Sequence, residues 1–168
     1  TGLSVVLDCA NGAAYEQAPR LFRELGASVS AIGVEPDGRN INKGCGSLHL
    51  AGLQSEVAAR GADIGVAFDG DADRALFVDA NASVVDGDRI MFLLAMDLDA
   101  RGQLEGRRVV ATVMSNIGLE IALKARGIEL SRADVGDKYV LEELLTTGAS
   151  VGGEQSGHVI FPRISLAG

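Results

Sequence analysis

The chain has 168 residues, 47% of them apolar and 23% charged, with 22 glycines, no tryptophan and a formal net charge of −8. That length allows one medium domain or two small ones, and the apolar share supports a real core, which excludes a disordered chain. The acidic balance excludes a binder of the nucleic-acid backbone, which needs clustered Lys and Arg; a small anionic substrate fits only if a cation sits locally in its site.

Leu3 to Leu7 is a continuous apolar run ending at Asp8, the pattern of a buried strand. After a turn at Asn11-Gly12, apolar residues recur at helical spacing through Ala14, Ala18, Leu21, Phe22 and Leu25, and Gly26 closes the helix. Val29 to Val34 reads as a second strand. A turn-rich stretch follows from Pro36-Asp37-Gly38 to Gly44-Cys45-Gly46. Leu50 to Arg60 is helical through Leu53, Val57 and Ala58 and stops at Gly61; Ile64 to Phe68, Ala75 to Val78 and Val84-Val85 are strands.

The second half repeats this plan. Ile90, Met91, Leu94, Ala95 and Leu98 make a helical stripe, and Val109 to Val113 is a strand. Ile117, Ile121 and Ala125 mark a helix ended by Gly127, followed by a strand over Ile128 to Ala133. Val140, Leu141, Leu144 and Leu145 line another helix, and Ser150-Val151 with Val159 to Phe161 close the half. Alternating strands and helices signal an α/β fold. The expectation is two similar small three-layer α/β domains with mixed, mainly parallel sheets, over 1–86 and 87–168. A distant internal duplication would place Asp69 to Arg74 and Glu154 to His158 at equivalent points. The chain stops soon after a strand, so a piece of something longer is expected.

Two cysteines, Cys9 and Cys45, make no disulfide framework. No apolar stretch approaches the roughly 20 residues that span a bilayer, and the N-terminus lacks the basic start of a signal peptide. A reduced, cytoplasmic setting without a membrane partner is expected.

Asp69-Gly70-Asp71-Ala72-Asp73-Arg74 sets three carboxylates at alternate positions just after a buried strand. Two carboxylates about 5 Å apart repel by roughly 3 kcal/mol at an effective dielectric of about 20. Three on one point therefore ask for a counter-charge, and Mg²⁺ with oxygen ligands supplies it where phosphate shares the site. An EF-hand would need Gly at the sixth position and an acid at the twelfth, where this loop has Arg74 and Ala80. A solvated acidic hairpin tip is the bland alternative. Gly153 to His158 puts an acid, a hydroxyl and an imidazole on a glycine-bounded loop. In an extended loop Glu154, Ser156 and His158 would share one side, suited to vicinal sugar hydroxyls.

With both motifs in place, Asp-Gly-Asp-x-Asp-Arg at 69–74 and Gly-Glu-x-Ser-Gly-His at 153–158, the sequence resembles the phosphohexomutase family over essentially its whole length, as that family's second and third domains. Asn40-Ile41-Asn42, Cys45-Gly46-Ser47, Val113 to Asn116, Val135 to Val140 and Gln155 resemble the branch that interconverts glucosamine 6-phosphate and glucosamine 1-phosphate through a phosphoserine and a bisphosphate. The resemblance implies Mg²⁺ on Asp69, Asp71 and Asp73, Arg74 on the transferring phosphate, and Glu154 and Ser156 on sugar hydroxyls. His158 and Lys138 would line the site, for proton transfer or phosphate contact. Phosphomannose and phosphoglucose substrates are not separated from glucosamine phosphate by hydroxyl-binding groups alone. No serine here is immediately followed by His, so the family's donor serine is expected on an absent first domain and its phosphate loop on an absent fourth, leaving this chain inactive alone. Two other classes compete with this one. A haloacid dehalogenase-type phosphatase wants its Asp-x-Asp on the first strand, and a non-catalytic fragment would use both loops for recognition only.

Overall fold

β1 (Ser4–Asp8) lies between two parallel neighbours, β2 (Ser28–Ile32) and β3 (Ile64–Phe68). Its sequence accounts for that place, because a strand covered on both faces must be apolar at successive positions. Val5 and Leu7 pack with Ala14, Ala18 and Val66 beside α1 (Gln17–Glu24), while Val6 packs on the other face with Leu53 and Val57 of α2 (Ala51–Arg60). β4 (Ala75–Asp79) and β5 (Val84–Val85) extend the sheet antiparallel, in the order β2-β1-β3-β4-β5. The computed structural model describes residues 2–168, and the chain divides into two compact units, one ending at Val85 and the other starting at Asp86.

The second unit opens with α3 (Gly87–Ala100), capped by Asp86, whose carboxylate accepts the Arg89 N–H at 3.1 Å. A 3₁₀ turn at Glu105–Arg107 leads into β6 (Arg108–Thr112), then α4 (Ile117–Lys124), β7 (Glu129–Ala133), α5 (Asp137–Thr147), β8 (Gly152–Gly153) and β9 (Val159–Ile160). β6 is parallel to β7 and β8, β9 is antiparallel to β8, and the order is β7-β6-β8-β9. This is the first unit's plan without its fifth strand. Val109 and Ala111 pack against Met91, Ala95, Leu119 and Leu123 on one face; Val110 packs against Val140 and Leu144 on the other.

In both units the chain leaves the central strand toward one side, then returns to its other side. The crevice outside the carboxyl ends of the strands at such a reversal is where open α/β sheets hold ligands. The loop after β3, 69–74, and the loop after β8, 154–158, both stand at that end of their own sheet.

Several expected boundaries and faces shift. β2 stops at Ile32 rather than Val34, because Gly33 at φ 63° turns the chain. β6 starts and ends one residue earlier than expected. β8 is Gly152–Gly153 rather than Ser150-Val151, and Ser150 instead donates from Oγ to the Gln103 carbonyl (2.8 Å) and accepts the Glu105 N–H (3.0 Å). On α4 the stripe expected from the sequence faces outward: Ile117 and Ile121 are 61% and 63% exposed, and Leu119 and Leu123 fill the core. The helix is apolar on more than one side, so spacing alone does not fix which side is inside. Leu21 within α1 and Leu25 just after it are exposed as well.

Leu53 is fully buried and Leu21 is 54% exposed. Leu53→Ala is expected to lower stability by about 2–5 kcal/mol, and Leu21→Ala by less than about 0.5 kcal/mol. Urea unfolding of the two variants checks the contrast.

Candidate functional site

The strand pair β3–β4 is closed by the loop 69–74. The Asp69 N–H donates to the Arg74 carbonyl at 3.3 Å and the Ala72 N–H donates to the Asp69 carbonyl at 3.2 Å, with Ala72 itself at φ 61°. This tight turn keeps the three acids together: one carboxylate oxygen from each of Asp69, Asp71 and Asp73 lies within 4.8 Å of the others. Asp69 is buried (1% exposed), whereas Asp71 and Asp73 are open to solvent. An all-oxygen set of three carboxylates converging on one point, one of them at the base of the loop, is a donor set that fits a metal ion.

Arg74 balances only the inner part of this charge. Its backbone N–H donates to Asp69 Oδ1 (3.2 Å) and its Nε donates to Asp69 Oδ2 (2.7 Å), with Asp73 Oδ1 at 3.4 Å from the same Nε. Burial pushes the Asp69 carboxyl up, but hydrogen bonding with Asp73 and Arg74 outweighs it and holds the group below the usual carboxylate range. Asp73 goes the other way, raised by burial, by its hydrogen bond with Asp69 and by the charges of Asp69 and Asp71. The loop therefore carries negative charge that its own arginine does not cancel.

In the second unit the loop 154–158 is a reverse turn rather than an extended segment. The Glu154 N–H donates to the His158 carbonyl (2.8 Å), and the Gly157 N–H, at φ 97°, donates back to the Glu154 carbonyl (3.0 Å). Glu154 and Ser156 still meet: Ser156 Oγ lies 3.5 Å from Glu154 Oε2, while Glu154 Oε1 accepts the Gly136 N–H at 3.3 Å. Both are half-buried, with polar atoms at the carboxyl end of the sheet. His158 turns inward and is buried. Lys138 stands exposed in the first turn of α5, its Nζ 4.6 Å from the centre of the Tyr139 ring.

What seats the two loops was not visible in sequence. The Ala13 N–H donates to the Gly70 carbonyl at 2.8 Å, and a Cβ on Gly12 would overlap that same carbonyl oxygen. Gly87, at the start of α3, plays the matching part: its N–H donates to the Gln155 carbonyl at 3.0 Å, and a Cβ there would overlap the Glu154 carbonyl oxygen. Gly12 reads in sequence as an ordinary turn residue and Gly87 as a domain boundary. No local signal says that each must admit a loop more than fifty residues further on.

Comparison with known proteins gives a consistent result. The family models described as phosphoglucomutase/phosphomannomutase alpha/beta/alpha domain II and domain III match residues 1–83 and 86–168. The chain is 56% identical to the phosphoglucosamine mutase of Caldicellulosiruptor bescii over 99% of its own length, and 58% identical to that of Ectopseudomonas mendocina over 95%. It spans 37% and 36% of those two relatives. Among solved structures, a phosphoglucomutase/phosphomannomutase family protein from Burkholderia thailandensis superposes with a TM-score of 0.87 at 30% identity, over 99% of this chain and 37% of that one. The N-acetylphosphoglucosamine mutase of Aspergillus fumigatus, in complex with GlcNAc-6P and magnesium, has the same fold with a TM-score of 0.71 at 24% identity, over 96% of this chain and 36% of that one. No helix among the described residues is long and apolar enough to cross a membrane.

Gly87→Ala is expected to cost about 1–3 kcal/mol of stability, as overpacking does, and to speed amide exchange at 154–158. Thermal unfolding and hydrogen exchange by mass spectrometry measure both effects.

Proposed function

Because the chain belongs to the phosphoglucomutase/phosphomannomutase family, whose domains II and III it matches in order, we propose that it carries the metal loop and the sugar loop of a mutase that interconverts glucosamine 6-phosphate and glucosamine 1-phosphate. What supports the reading most is the convergence of Asp69, Asp71 and Asp73 within 4.8 Å beside Arg74. The glucosamine-phosphate preference rests on the whole-chain likeness to phosphoglucosamine mutases.

Asp69, Asp71 and Asp73 would hold Mg²⁺, which when bound supplies positive charge to phosphoryl oxygens during transfer. Arg74 is held through Nε by Asp69, and its two terminal nitrogens would donate to a phosphoryl oxygen. Glu154, steadied by the Gly136 N–H and by Ser156, accepts hydrogen bonds from sugar hydroxyls, and Ser156 both donates and accepts. A bisphosphate that has to turn over between two transfers needs such contacts to the hydroxyls on its ring rather than to one phosphate. Lys138, exposed on a flexible stem, suits the charge of a phosphate. His158, the third polar side chain of this loop, is buried, so contact with a ligand would require its ring to be uncovered. In the first unit, cation and guanidinium would neutralise and orient, which is most of what phosphoryl transfer asks of a protein.

Calorimetry on the 168-residue chain is expected to detect Mg²⁺ binding that Asp71→Asn abolishes. The affinity should be flat at neutral pH and fall on acidification through the raised pKa of Asp73, because a proton held between Asp69 and Asp73 competes with the ion. Affinity that Asp71→Asn leaves unchanged contradicts the ligand set. For the activity, this chain can replace the matching segment of the Caldicellulosiruptor bescii phosphoglucosamine mutase. The chimera is expected to interconvert the two glucosamine phosphates, and Asp71→Asn within it to lower kcat/KM by about a hundred-fold or more. A folded chimera that does not convert them, or one indifferent to Asp71→Asn, counts against the proposal.

A further inference from the structure

Asp8 ends β1 as a carboxylate only 1% exposed. Burying such a group is costly unless its oxygens are hydrogen-bonded. Its two oxygens are used separately: Oδ1 accepts the Ala10 N–H at 3.0 Å, and Oδ2 accepts the Gly46 N–H at 2.8 Å. Those amides belong to two segments far apart in sequence, the loop after β1 and the turn-rich stretch after β2. The side chain is therefore a clasp between them.

Both segments then grip the acidic loop. The Asn42 N–H donates to the Ala10 carbonyl at 2.9 Å, closing the clasp from the backbone side. The Ser47 N–H donates to the Phe68 carbonyl at 2.9 Å, at the last residue before Asp69. The Ala13 N–H holds the Gly70 carbonyl, and Gly70 is boxed by Gly12 on one side and by Asn42 on the other. Gly70 sits between Asp69 and Asp71, so its placement decides whether their carboxylates converge.

We infer that Asp8 is a positioning residue for the metal loop: by clasping the Ala10 and Gly46 amides it holds the Gly12–Ala13 and Asn42–Ser47 segments against Gly70, and so presets the spacing of Asp69, Asp71 and Asp73. This rests on the reading of those three residues as metal ligands. Asparagine is a poor substitute despite its shape. It has one oxygen acceptor where two are used, and its amide nitrogen would face a backbone N–H. Indirect supports of this kind are worth as much to metal affinity as some ligands, since a site held loosely must be ordered by the ion itself.

The test compares the wild-type chain with Asp8→Asn, Gly12→Ala and Asp71→Asn, using Mn²⁺ binding followed by electron paramagnetic resonance and metal-free amide exchange at 10–13 and 69–74. Asp8→Asn is expected to bind Mn²⁺ about ten-fold more weakly and to exchange faster at 69–74 while keeping its far-ultraviolet dichroism. A merely structural Asp8 would lower the urea midpoint and leave both the Mn²⁺ affinity and the 69–74 exchange of the folded protein at wild-type values, and that result overturns the inference. If Asp8→Asn does not fold, Gly12→Ala decides, because it disturbs the same contact to Gly70 with the buried carboxylate intact; wild-type affinity and exchange in that variant also overturn it. If the wild-type chain binds no Mn²⁺, the metal reading fails, and the metal-free exchange still decides the part played by Asp8.

Discussion

Three carboxylates are held on one short turn with a single guanidinium bonded to the innermost. Oxygens less than 5 Å apart repel one another by roughly 3 kcal/mol per pair at an effective dielectric of about 20. Left to itself, such a turn would relax by splaying its exposed members into water. It does not splay because its backbone is bonded on both sides: by the ladder to β4 through Asp69 and Arg74, and by the Ala13 N–H at Gly70. The opposite displacements of the Asp69 and Asp73 pKa values express the same crowding. One acid keeps its charge by taking the hydrogen bonds, and its neighbour gives up ionisation more readily. A cation relieves both.

The fold makes this arrangement possible by reversing the direction of strand addition at β1 and again at β6. Each central strand has a parallel partner on both sides and helices on both faces. Three loops therefore meet at its carboxyl end, and the last of them returns through an antiparallel strand. In each unit that returning turn carries the polar groups, and in each a glycine from an earlier segment lets backbone touch backbone, Gly12 at Gly70 and Gly87 at Glu154–Gln155. One architecture thus presents acids in one unit and a hydroxyl–carboxylate pair in the other. Loop chemistry differs, while in each unit a close glycine approach supports the loop, from after the central strand in one and from the helix before it in the other.

Much of this was legible in the sequence, for identifiable reasons. Strands covered on both faces are continuous apolar runs, so Ile64–Phe68 was readable to the residue. Asp69, Asp71 and Asp73 could be picked out because alternate acids crowded just after a buried strand repel one another unless a cation joins them. Helix faces were harder: α4 offers Ile117 and Ile121 as well as Leu119 and Leu123, and only the docking of α3 beside it selects the second pair. The turn at 154–157 replaced the expected extended loop because Gly157 adopts a positive φ that spacing does not announce. Least legible were Asp8, Gly12 and Gly87. Their partners lie far along the chain, and nothing local distinguishes a strand-ending acid that caps a solvated turn from one that clasps two buried amides.

Diffraction from crystals of the 168-residue chain grown with Mn²⁺, recorded near the manganese absorption edge, would locate the ion directly. An anomalous peak bonded by oxygens of Asp69, Asp71 and Asp73 is the expected result. An ion seated elsewhere, or well-ordered carboxylates at 69, 71 and 73 that ignore it, would contradict the central claim.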